Sequence, residues 1–127
     1  MASYDGIKTV SVVAGSAVTI YRFIKLAADG KVDHAGAAQG RVDGIAAETV
    51  AADGDVLPMV LPMGSIAKVE VGSGGVTAGG LVATDASGKA IAVGASNGDQ
   101  AWGVALDAGA EGDIVRILFG YKGQINA

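Results

Sequence analysis

The chain repeats one pattern of turns and apolar runs, and this repetition constrains its fold more than any other feature. Residues 17–64 align with residues 75–120 across five separate features. Val18-Thr19 answers Val76-Thr77, Phe23-Ile24 answers Leu81-Val82, and Gly30-Lys31 answers Gly88-Lys89. Gly44-Ile45-Ala46 then answers Gly103-Val104-Ala105, and Gly54-Asp55-Val56 answers Gly112-Asp113-Ile114. The offset stays within one residue of 58 through all of these and departs further only at Gly64 and Gly120. Self-similarity at a fixed period implies two copies of one structural unit, each needing the other to cover its apolar face.

Within each copy the pattern is that of strands and turns. Asp29-Gly30 and Ser87-Gly88 stand between apolar runs, where glycine closes a hairpin by adopting positive φ. Asp43-Gly44, Asp53-Gly54 and Asn97-Gly98 mark further turns. In 114–119, alternation puts Ile114, Arg116 and Leu118 on one side and Val115, Ile117 and Phe119 on the other, with Arg116 expected at an edge or an interface. Alanine favours helices, so 35–39 and 104–110 could hold a helical turn, but frequent glycine makes a long helix costly. The expected fold is therefore all-β with little helix: a small β-barrel or sandwich of two internally repeated β-units, preceded by an extended N-terminal arm. The expected boundaries are an arm at 1–16, a first repeat at 17–72 and a second repeat with a short tail at 73–127, all in one compact domain. The glycines at 72–75 read as the flexible joint between the copies.

Few kinds of chemistry are open to such a chain. Of its 127 residues 21 are glycine, none is cysteine, one is histidine and the net charge is −4. Scattered charges of this sign offer no basic stripe for nucleic acid. The most apolar stretch, 56–63, is interrupted by Pro58 and Pro62 and is too short to span a membrane. The first ten residues, MASYDGIKTV, do not read as a secretory signal. His34, in VDHAGAAQG, reads as a surface-turn residue and cannot alone supply the common zinc sets. The acidic pairs Asp53/Asp55 and Glu111/Asp113 read as turn residues bonding nearby amides, since a calcium loop needs more oxygen ligands. Gly79-Gly80 is followed by Leu81, without the Lys-Ser/Thr of a phosphate loop. The expectation is a protein that is not an enzyme, uses no cofactor or metal, and acts by binding other proteins.

Contact residues are sought among the larger side chains, which are scarce. Tyr4, Ile7, Val10 and Val12 lie in the N-terminal arm, and extended termini can add strands to another chain. Tyr21 and Phe23 are the aromatics of the first copy. Leu57, Met59, Leu61 and Met63 alternate with valine and proline in VLPMVLPM, and would make a poorly soluble surface unless covered. These ten are the candidate capsid- or subunit-contact residues under the resemblance described next. Trp102 is read chiefly as a core anchor, with an interface role as the alternative.

VTAGGLVATDASGKAIAVG followed by WGVALDAGAEGDIVRILFG resembles the small capsid decoration (cement, head-stabilising) proteins of tailed bacteriophages. The resemblance rests on a Val-x-Ala-Gly strand start, an Asp-x-x-Gly-Lys hairpin, then Gly-Val-Ala and Gly-Asp-x-Val. It covers about the last 55 residues well and the first copy more loosely. It implies a structural virion protein, made in the host bacterial cytoplasm, that binds the major capsid protein on the outer surface of a phage head as a homotrimer and stabilises the shell. Under it, residues 1–13 are expected to be the capsid-contacting arm. Two other classes share the glycine-rich turns. One is a tail-fibre or tail-tube module. The other is a biotinyl- or lipoyl-type carrier, for which Lys31 and Lys89 would have to stand at a modified hairpin tip.

Overall fold

A computed structural model describes residues 8–126, and Tyr4 and Ile7 lie outside them. The described residues form ten strands and no helix. The turns expected from glycine form as hairpins: Gly30 and Gly88 take φ of 80° and 84°. In each, the residue three before the glycine accepts its N–H, Ala27 at 3.0 Å and Asp85 at 3.2 Å. The alanine-rich segments 35–39 and 104–110 stay extended or in turns and bends.

The first sheet contains β1 (Thr9–Val13), β2 (Phe23–Leu26), β3 (Val32–His34), β4 (Gly44–Ala46) and β5 (Val56–Val60), in the order β1-β5-β4-β2-β3. The second contains β6 (Met63–Glu70), β7 (Leu81–Thr84), β8 (Ala90–Ala92), β9 (Gln100–Ala105) and β10 (Ile114–Gln124), in the order β6-β10-β9-β7-β8. The two orders are the same, strand for strand. Each sheet also closes on itself. The residue after β1, Ala14, forms a parallel bridge to Val32 in β3, and Val71 after β6 does the same with Ala90 in β8. Gly15 N–H donates to Val32 O at 2.8 Å and Gly72 N–H to Ala90 O at 2.7 Å. Closure removes the exposed edges that a small open sheet would carry.

Alternation then gives each barrel an interior and an exterior face. The first interior holds Ala14, Val18, Ile24, Val32, Ala46, Leu57 and Met59, all buried. The second holds their counterparts Val71, Val76, Val82, Ala90, Ala105, Val115 and Ile117. One glycine per barrel makes room for this filling. A Cβ at Gly44 would collide with the Met59 side chain and lie 2.7 Å from Val60 O, and one at Gly103 would lie 2.8 Å from Leu118 O. Both glycines answer each other in the repeat.

The structure moves the boundaries expected from sequence. Residues 9–13 are no free arm: β1 pairs along its length with β5, from Thr9↔Val60 to Val13↔Val56. The first unit ends at Val60 and the second begins at Met63, because β6 pairs with β10 from Ile114↔Glu70 to Gly120↔Met63. The joint is thus Leu61-Pro62. The glycines at 72–75 lie inside the second barrel, where Val71 and Gly72 close it.

The barrels pack through the exterior of the first. Phe23, Ile45 and Val60 are cross-strand neighbours on that face and are 0%, 1% and 6% exposed. Phe23 meets Phe119 with ring centroids 5.9 Å apart. Backbone bonds tie the seam, with Phe23 N–H donating to Gly88 O and Gln39 N–H to Thr84 O, each at 2.7 Å. Arg22 Nε adds a 3.0 Å ion pair to Glu70. Burial of side chains of this size contributes roughly 1.5–3 kcal/mol each. Overpacking beside Met59 or Ile117 is expected to cost about 1–3 kcal/mol in Gly44→Ala and in Gly103→Ala. Gly36→Ala, whose Cβ would meet nothing closer than 4.0 Å, should stay near wild type, and urea melts of the three variants check the contrast.

Candidate functional site

The second barrel carries on its exterior the counterpart of a cross-strand row that the first barrel buries everywhere except at Thr9. In the first barrel the row runs Thr9–Val60–Ile45–Phe23, extended to Ala35 by its N–H bond to Phe23 O. In the second it runs Ile66–Leu118–Val104–Leu81, extended to Val93 by its N–H bond to Leu81 O. The registers correspond residue by residue, but the environments do not. Ile66 and Leu81 are 49% and 41% exposed, and Leu118, Val104 and Val93 are half-buried. An apolar band thus crosses four strands and reaches Val93 with no other described residue packed fully over it, a feature of interaction surfaces.

At one end the band enters a groove of about 750 Å³ between the barrels. Tyr21, Ile45 and Val60 line it from the first barrel, and Ile66 and Leu118 from the second. Charge is confined to Lys68 and Arg116. Arg116 lies on β10, which is flanked by β6 and β9, so it is on the barrel exterior and at no sheet edge. Its guanidinium grips Asp107 through Nε at 3.0 Å and Nη2 at 2.9 Å, which pulls the Asp107 carboxyl down to about 2. The groove can therefore take apolar surface, with its guanidinium charge already neutralised.

The candidate contact residues do not gather in one place. Val10 is exposed and Val12 half-buried on β1, with side chains on the same face as Met59 and Leu57. Tyr21 is half-buried in the groove wall and takes φ of 67°, where the second copy has Gly79. Phe23 is buried between the barrels. Leu57 and Met59 fill the first interior, Leu61 packs beside them half-buried, and Met63 is 59% exposed. The expectation of a surface formed by 57, 59, 61 and 63 is corrected accordingly, because β5 turns its odd residues Leu57 and Met59 inward. Sequence reasoning missed the row from Ile66 to Val93. Mapping Phe23, Ile45 and Val60 through the repeat would have located it.

The polar candidates are occupied structurally. Trp102 is buried, donates its indole N–H to Gly40 O at 3.0 Å and packs on Tyr121 with centroids 4.9 Å apart. It anchors the seam. Lys31 Nζ pairs with Asp53 at 2.8 Å, and Lys89 Nζ with Glu70 at 3.6 Å. Asp55 accepts the amides of Ala51 and Ala52, and Asp113 that of Ala110. Among the described residues no three His, Asp or Glu side chains converge as metal ligands would.

His34 departs from the surface-turn reading. It lies in β3, half-buried, and its Nε2 accepts the Thr19 N–H at 3.0 Å. That acceptor exists only in the neutral ring. Burial lowers the proton affinity of the ring and the Arg22 charge lowers it further, opposed in part by Asp33. The unfolded chain therefore takes up the proton first as pH falls, and protonation favours unfolding. Stability from His34 is complete above about pH 6.5 and declines below it, so the melting temperature should drop as the pH is lowered through that value. In His34→Gln this fall should flatten, as followed by circular dichroism.

No protein-family model and no curated protein sequence matches the chain. Among solved structures it is similar to the N base of the head fiber protein gp8.5 of bacteriophage phi29. The TM-score is 0.69 and the identity 22%, over 90% of this chain and 94% of that one. At this identity the likeness establishes a shared fold along nearly the full length of both chains.

Proposed function

We propose that this chain is a structural virion protein of a bacteriophage head, a decoration protein that binds the major capsid protein on the outer surface and stabilises the shell. The observation that carries the reading is the fold shared with a head fiber base along nearly the full length of both chains. Two closed barrels with saturated edges suit a rigid surface-mounted part. The uncovered apolar band suits a protein that completes its burial by assembly.

The working form in this reading is a homotrimer. Three copies on one capsomer turn weak single contacts into tight attachment through effective concentration. Stabilisation follows from linkage: a ligand bound only by the intact shell shifts the balance toward that shell. The reading assigns no catalytic step.

Purified protein mixed with undecorated heads should co-sediment with them, and decorated heads should withstand heating that bursts bare ones. Binding to tails in place of heads, or heads no more heat-resistant once decorated, would overturn the reading. The capsid-contacting role expected of 1–13 is best tested with a chain lacking only 1–7. Because β1 belongs to the first barrel, removing 9–13 would unfold what is being tested. Lost head binding with an unchanged melting temperature is the expected result.

A further inference from the structure

The exterior of the second barrel is the counterpart of a surface that this chain already covers. In the first barrel the row through Val60, Ile45 and Phe23 is sealed by one end of the second barrel, where Phe119, Thr84 and Gly88 lie. Among the described residues nothing seals the corresponding row in the second barrel, where Leu81 is exposed and Leu118 and Val104 are half-buried. The counterpart of the sealing end is open too. Phe119, Thr84 and Gly88 correspond in the first barrel to Leu61, Leu26 and Gly30. Leu26 is 39% exposed, and Leu61 is half-buried. One chain thus presents an unused wall on its second barrel and an unused end on its first.

We propose that the wall through Ile66, Leu118, Val104 and Leu81 seats a second copy of this chain, which applies to it the end of its first barrel at Leu26 and Leu61. The contact repeats between chains the arrangement already made within one chain. It is heterologous, so the copies form a ring where the rotation from one to the next closes. The inference deepens the oligomeric part of the proposed function and rests on it for the number of copies.

Charge placement agrees with this seating. Within the chain, Arg22 of the first barrel meets Glu70 of the second. At the corresponding place between chains Gly80 would meet Val13, and Val13 is 36% exposed. The polar pair that locks the internal seam is replaced by an apolar one, so that position buries no charge. Arg116, at the margin of the wall, is held by Asp107.

The chain has no cysteine, so introduced thiols report the contact directly. Under a short bifunctional thiol cross-linker, a mixture of Leu81→Cys and Leu26→Cys chains should give covalent dimers containing one of each. Leu81→Cys alone should give none. In sedimentation velocity the wild type should run as a closed oligomer. Leu81→Lys and Ile66→Lys should weaken self-association at least about tenfold, as expected for a central interface position. Their circular dichroism should stay that of the wild type, since both side chains are exposed. A wild type that is monomeric at every concentration would overturn both the inference and the trimer. An oligomer that survives both lysine variants, or Leu81→Cys cross-linked to itself, would overturn the inference and leave head decoration standing. Heads left unbound by an intact oligomer would do the reverse.

Discussion

Phe23, Ile45 and Val60 lie on the outside of one closed barrel, yet all three are buried, Phe23 and Ile45 almost completely. Their burial against Phe119 and the neighbouring barrel end joins the two units into one body. Each barrel interior is filled mostly by valine, alanine and isoleucine, small side chains that contribute modest area apiece. The aromatic residues that add most per residue are spent at the seam. Phe23, Phe119 and Trp102 all lie there, and the backbone bonds at Gly88 and Thr84 set the angle at which the units meet.

Much of this was legible in the sequence because turns repeat more faithfully than strands. Gly30 and Gly88, or Gly54 and Gly112, hold positive φ that few other residues tolerate, so they persist as landmarks. The unit boundaries were less legible. β1 reads TVSVV, and the matching stretch of β6 reads IAKVE, with little in common beyond period-two alternation. Both strands pair with the last strand of their own unit, some fifty residues away, and no local pattern reveals that. The repeat therefore shows most clearly at its glycines, while the opening strand of each unit lies largely outside the stretch they mark.

The same reasoning explains the misplacement of the VLPMVLPM stretch. Leu57 and Met59 look like one face of an exposed strand, but β5 is covered on both sides near its end. Its inward residues fill the first barrel, while Val60 enters the seam. Burial on both faces leaves a continuous apolar run whose direction periodicity alone cannot assign. Phe23 was ambiguous for a related reason: an aromatic on the outside of a barrel is exposed or buried according to what packs over it, and here that partner is 96 residues further along at Phe119.

The two-residue joint at Leu61-Pro62 also sets an order of events during synthesis. The first barrel needs β5 and Leu61 after it before it is complete, and its sheet pairing draws on nothing later in the chain. It can therefore form while the second half of the chain is still emerging, as domains of larger proteins do. In that interval its Phe23 wall faces water, with Phe119 not yet made. A half-finished chain thus exposes a sticky surface of the kind that the completed protein keeps on its second barrel, and nascent chains on neighbouring ribosomes could meet there. The duplication that makes assembly possible therefore also makes timing part of how this protein folds.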